Sequence, residues 1–268
     1  MFRNRQRTVR EQKMMGVGDH ELFVEGHAPC VVALHGFGGT VAELRPLLDA
    51  VAGAGYAVDA ALLPGHGSRV EELQDVGFDA WVHGARARMR AAREKHGRVV
   101  LLGFSLGSLV AMQLASEKPD GLTGLVVLGN ALTLHPLMRV PLGLWHRTGR
   151  PLPDVYLLKP LAGDLVDPAA MGSLVTYDRH PVRAALEVYL AGERVRERVS
   201  RIECPTLVLH GRRDRVCPWK NAVWLAEHLG ARDVSVRLFE KSAHVLAWDG
   251  ERREVAAEVV RFLARISA

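Results

Sequence analysis

Leu101-Leu102-Gly103-Phe104-Ser105-Leu106-Gly107-Ser108 is an apolar run that stops in a Gly-x-Ser-x-Gly pattern and then continues with helical periodicity. It reads as strand, sharp turn and helix. A nucleophile elbow needs that context: a serine at the tip of a strained turn projects its hydroxyl above the sheet, and the glycines on either side relieve crowding. Ser105 is therefore the candidate nucleophile. A plain Gly-Ser turn joining a strand to a helix would give the same five residues, so the weight falls on what the rest of the chain supplies.

Upstream, Cys30-Val31-Val32-Ala33-Leu34 is a continuous apolar run of buried-strand length, ending in His35-Gly36-Phe37-Gly38-Gly39-Thr40. The glycines let backbone N–H groups approach a ligand, and Thr40 can cap the helix expected over 41–54. They lack the spacing of a dinucleotide or Walker phosphate loop, which disfavours a nucleotide. A strand over 56–62 then leads into Pro64-Gly65-His66-Gly67-Ser68. His66 has no carboxylate or second ligand at metal spacing, so a loop-shaping role is expected. Phe78, Val82, Ala85, Met89 and Ala92 mark an amphipathic helix, the elbow serine sits between a strand over 98–104 and a helix over 106–118, and a further strand covers 124–128. Such alternation predicts an α/β fold, a mostly parallel twisted sheet with helices on both faces.

Between residues 130 and 201 seven prolines interrupt the chain and no strand is evident, which predicts a helical cap or lid insertion rather than another βα unit. Its apolar residues Leu134, Leu137, Met138 and Trp145, with Phe37 and Val245 from the loops, are candidate substrate contacts; equally, the cap residues can form a small core of their own. The α/β core is expected over 21–129 and 202–268, with residues 1–20 as a flexible basic tail. The sheet resumes with Pro205 to His210, followed by Gly211-Arg212-Arg213-Asp214, and a strand over 234–239 precedes Lys241-Ser242-Ala243-His244-Val245. A carboxylate just beyond a buried strand lies where open α/β sheets bind ligands.

Ser105, Asp214 and His244 each follow a predicted strand, in the order serine, acid, histidine. A serine hydroxyl is a weak nucleophile at neutral pH. His244 can take its proton and return it to a leaving group, Asp214 can orient the imidazole and stabilise its cation, and the backbone N–H groups of Phe37 and Leu106 can hold a developing oxyanion. With the base near its reference pKa of about 6.5, activity is expected to rise with pH through that value. Asp233 and Asp249 are the fallback acids, although neither directly follows a strand.

The bulk properties restrict the setting. The 268 residues are 48% hydrophobic and 24% charged, an ordinary globular composition. The net charge of +5 comes with an arginine cluster at the amino terminus, but no aromatic-interleaved basic motif accompanies it, so no nucleic-acid partner is expected. Cys30, Cys204 and Cys217 are odd in number and lack Cys-x-x-Cys spacing, which argues against a disulfide framework or a zinc site. No apolar stretch reaches membrane-span length and the first fifteen residues lack a signal-peptide core, so stable membrane insertion is not expected and a cytoplasmic location is.

His35-Gly-Phe-Gly-Gly, Pro64-Gly-His-Gly, Gly103-Phe-Ser-Leu-Gly, Gly211-Arg-Arg-Asp214 and Ser242-Ala-His244 together resemble the α/β-hydrolase superfamily, in particular bacterial carboxylesterases and monoacylglycerol lipases. The resemblance runs from about Val31 to the end of the chain. It implies an eight-stranded, mostly parallel sheet with a helical cap and no metal or organic cofactor. It also implies hydrolysis of small carboxylic esters with short or medium acyl chains through an acyl-enzyme. Ser108 after the elbow and Cys217 before Pro218 depart from the usual residues without touching the three candidate catalytic groups. The same three groups also serve thioesterases, amidases and aminopeptidases, and a noncatalytic binding member of the fold is the remaining alternative.

Overall fold

The computed structural model describes residues 21–150, 152–158, 164–167, 170 and 176–268. The tail expected over residues 1–20 lies outside them. Seven strands form one sheet: β1 (Glu21–Val24), β2 (His27–Leu34), β3 (Tyr56–Ala61), β4 (Val99–Phe104), β5 (Leu122–Leu128), β8 (Thr206–Gly211) and β9 (Val234–Phe239). Their order is β1-β3-β2-β4-β5-β8-β9, and every pairing except the antiparallel β1–β3 edge is parallel. Where eight strands were implied, the described sheet has seven. Four-residue β1 was not expected from the sequence, because its half-exposed Glu-Leu-Phe-Val pattern is too short to set a period.

The helices of the core are α1 (Arg45–Gly53), α2 (Phe78–His96), α3 (Leu106–Ala115), α6 (Lys220–His228) and α7 (Arg252–Ser267). Thr40 caps a 3₁₀ turn, Val41–Leu44, which runs into α1, its side chain accepting from the Ala42 N–H. Strand alternation divides the core into two layers. Val32, Leu34, Leu101 and Val127 face α2 and α3, whereas Val31, Ala33, Val100, Leu102 and Val126 face α1 and α7. All six residues of β4 are buried, because this strand lies at the middle of the sheet with helices above and below it. In a parallel sheet the carboxyl ends of β2, β3, β4, β5, β8 and β9 share one edge, and every loop singled out in the sequence opens there.

The chain between β5 and β8 contains α4 (Pro136–Arg147), the short strands β6 (Tyr156–Leu158) and β7 (Arg179–Pro181), and α5 (Val182–Arg196). The expectation of no strand here needs correcting: β6 and β7 pair as an antiparallel two-stranded ribbon. Three-residue strands carry no readable alternation, and only cross-strand pairing reveals them. Thr176 Oγ1 and Tyr177 N both donate to Gly38 O, at 2.8 and 2.9 Å, so this segment is fastened to the glycine loop after β2.

Candidate active site

Ser105 sits at the tip of the β4–α3 turn with φ 51° and ψ −115°, a backbone conformation that few non-glycine residues adopt. The neighbouring glycines are required by close approach rather than by φ. A Cβ on Gly103 would collide with Gly107 O, and one on Gly107 would collide with Leu34 O. The turn is also tied from below: Ser105 N donates to Leu128 O at 3.1 Å and Gly107 N to His35 O at 3.1 Å. Ser108, noted in the sequence only as a departure, donates from Oγ to Ser105 O at 2.5 Å and accepts from Ala131 N at 3.4 Å, which links the elbow to the end of β5.

His244 and Asp214 meet Ser105 across this edge. His244 Nε2 lies 3.0 Å from Ser105 Oγ, and Nδ1 lies 2.7 Å from Asp214 Oδ2. The carboxylate fixes the tautomer: Nδ1–H donates to it and Nε2 is left as the acceptor facing the serine. Asp214 Oδ1 accepts from Val216 N at 2.8 Å and Cys217 N at 2.7 Å, so the loop before Pro218 wraps its own aspartate. All three residues are largely buried, Ser105 at 8%, Asp214 at 9% and His244 at 7% exposure.

A residue absent from the sequence reading completes the acid's surroundings. His210, fully buried at the end of β8, places Nε2 2.9 Å from Asp214 Oδ2 and 3.1 Å from Cys217 O. Burial alone would raise the Asp214 pKa. The adjacent His244 and His210 imidazoles outweigh it and hold the carboxyl below its ordinary range. For His244, burial favours the neutral ring, but the Asp214 charge and hydrogen bond, with further contributions from Asp164 and Glu43, raise its pKa above 6.5. Only position i−4 to a loop aspartate could have flagged His210, and that signal is weak.

Phe37 lies in the loop after β2, its ring stacked on His180 from β7 with centroids 4.8 Å apart. Among the described residues, neither Phe37 N–H nor Leu106 N–H donates a hydrogen bond, so both remain available beside the elbow. The loop is held by Glu43, buried at 3% exposure, whose Oε2 accepts from Gly36 N at 3.1 Å. An acidic residue inside an apolar helical stretch was the available clue, and the sequence reading missed it.

The histidines of the two glycine loops are also buried. His35 Nδ1 lies 2.8 Å from Gly36 O and its Nε2 accepts from Leu63 N at 2.9 Å. His66 Nδ1 is within 3.3 Å of the carbonyls of Leu63 and Pro64. Burial pushes His35 down to about 4 and His66 well below 6.5. Both are neutral rings that shape loops.

The apolar candidates separate. Leu134 and Val245 are buried and Met138 packs on the core, whereas Leu137 is 81% and Trp145 38% exposed. Helix α4 thus turns only some of its apolar residues inward. Asp233 pairs with Arg265, and Asp249 accepts backbone N–H bonds from Val166, Asp167 and Ala243, so neither fallback acid reaches His244. Among the described residues, no helix is long and apolar enough to cross a membrane.

Residues 26–251 match the family described as "Serine aminopeptidase, S33". The chain is 25% identical to the thermostable monoacylglycerol lipase of Bacillus sp. (strain H-257), over 95% of this chain and 98% of that protein. It is 24% identical to a carboxylesterase of Bacillus subtilis (strain 168), over 90% and 95%. A solved structure from work on LipS and LipT, two metagenome-derived lipolytic enzymes, superposes with a TM-score of 0.84 at 23% identity, covering 94% of this chain and 99% of that one.

Proposed function

The chain belongs to the serine aminopeptidase S33 family, and from that premise we propose that it is a serine hydrolase cleaving small apolar carboxylic esters, monoacylglycerols among them, through an acyl-enzyme. The observation that carries this reading is the continuous relay from Ser105 Oγ to His244 Nε2 at 3.0 Å and from His244 Nδ1 to Asp214 Oδ2 at 2.7 Å. Ser105 Oγ attacks the ester carbonyl while His244 takes its proton. The carbonyl oxygen becomes an oxyanion facing Phe37 N–H and Leu106 N–H. Collapse expels the alcohol, which receives the proton from His244, and water then repeats the sequence on the acyl-enzyme. The insertion over residues 130–201 acts as a cap, and Phe37, Leu134, Met138 and Val245, which turn inward, are the apolar candidates for contact with an acyl chain. The low identity to the named lipase and carboxylesterase supports ester chemistry without selecting a chain length.

The family's description favours one second reading, cleavage of an amide at the same serine. Both are tested by treating the protein and Ser105→Ala with a serine-reactive phosphonate, then assaying esters of graded acyl length beside matching anilides. Labelling and ester turnover that both disappear in Ser105→Ala are expected. Faster anilide than ester cleavage would establish the second reading. Wild-type protein that neither labels nor turns over any substrate would overturn both.

A further inference from the structure

Asp164 lies in the insertion, far in sequence from the serine and from the sheet. Its backbone carbonyl accepts from His244 N at 3.1 Å and from Val245 N at 3.3 Å. Its carboxylate, 8% exposed, accepts from Arg215 N at 2.8 Å through Oδ2 and from Arg215 Nε at 2.7 Å through Oδ1. One residue therefore grips the loop that carries the base and the loop that carries the acid. The segment around it is anchored in the same place: Asp249, fully buried, takes the N–H groups of Val166 and Asp167 together with that of Ala243, next to His244.

We propose that Asp164 is a positioning residue for the His244–Asp214 pair, through which the insertion sets both the geometry and the charge state of the base. The inference rests on the functional reading above. The charges acting on His244 are Asp214, in contact at Nδ1, and, without side-chain contact, Asp164 from the insertion and Glu43 from the turn before α1. His210 meets the same Oδ2 of Asp214 that His244 does, and Arg215 covers Asp164. Each carboxylate favours the imidazolium, and Arg215, whose side chain is 73% exposed, partly neutralises Asp164. A merely structural role for Asp164 would leave the titration of His244 unmoved.

The experiment measures kcat, KM and the pH dependence of kcat/KM for wild type, Asp164→Asn and Arg215→Gln, with the His244 ring followed in parallel by NMR titration. Asp164→Asn keeps the backbone contacts and removes the charge. It is expected to lower kcat on the order of tenfold to a hundredfold with KM little changed, as small misplacements of catalytic groups do, and to move the His244 midpoint to lower pH. Arg215→Gln uncovers the carboxylate and is expected to move the midpoint the other way, by less because the arginine is exposed. An unshifted midpoint in Asp164→Asn, or shifts of the same sign in both variants, would overturn the proposal. Should Asp164→Asn fail to fold, the direction of the Arg215→Gln shift decides alone. Because the NMR midpoint needs no turnover, absence of Ser105-dependent activity would sink the functional reading separately from this one.

Discussion

Two buried histidine centres share the carboxyl edge of the sheet. One is His244, following β9; the other is the pair His35 and His66, following β2 and β3. All are more than nine-tenths buried. They differ in what the ring meets: His35 and His66 hydrogen-bond to backbone groups, whereas His244 meets a carboxylate that is itself held by two N–H groups and a second imidazole. The consequence is opposite signs. Burial takes His35 down to about 4, while Asp214 carries His244 above 6.5 in spite of burial. Burial makes a histidine neutral, and a paired carboxylate makes it a base that can hold the proton it accepts.

Removing the rings tests the contrast most severely. His244→Ala is expected to lower kcat by about 10⁶, the scale found when a triad histidine is deleted. Comparable activity in wild type and variant, measured on the best ester, would break the contrast. Next, Asp214→Asn should cost a factor on the order of 10⁴, by analogy with the serine proteases. It should also bring the His244 midpoint below 6.5, toward the behaviour of His35; a midpoint that stays above 6.5 in NMR would assign the shift to other charges.

On the other side, His35→Phe leaves Leu63 N–H buried without its acceptor, which should cost about 1–3 kcal/mol in urea unfolding. A stability loss within error would mean that the ring is dispensable to its loop. The smallest effect is in wild-type pH dependence. With the His244 pKa raised by Asp214, the acid limb of kcat/KM is expected above 6.5, higher than the reference value alone would put it. In linkage terms the two centres oppose each other. His244 contributes stability that is present below 6.5 and lost as pH rises through its folded value; His35 contributes stability that is present above 6.5 and lost as pH falls toward about 4. A calorimetric titration in which both contributions carry the same sign would contradict this.

Much of the frame was legible because its signals are local. Strands β2, β4, β5 and β8 announced themselves as apolar runs, α2 and α7 as amphipathic repeats, and the elbow as two glycines around a serine. Less legible were β1, β6 and β7, which are three or four residues long and exist by pairing with distant partners. The insertion was recognised by its prolines, yet the inward and outward faces of α4 were not separable, since Leu142 and Leu137 look alike until something packs on one of them.

By itself the sequence determined the order of strand and helix and the placing of Ser105, Asp214 and His244 each beyond a strand, because periodicity and turn chemistry act over a few residues. Only the tertiary structure decided that Ser105 and His244, 139 positions apart, stand within a hydrogen bond of each other. It also decided that His210 shares the acid, that Asp164 reaches out of the insertion to both loops, and that buried histidines at one sheet edge shift in opposite directions. Burial and charge pairing depend on which distant segments converge, and no local pattern encodes that convergence.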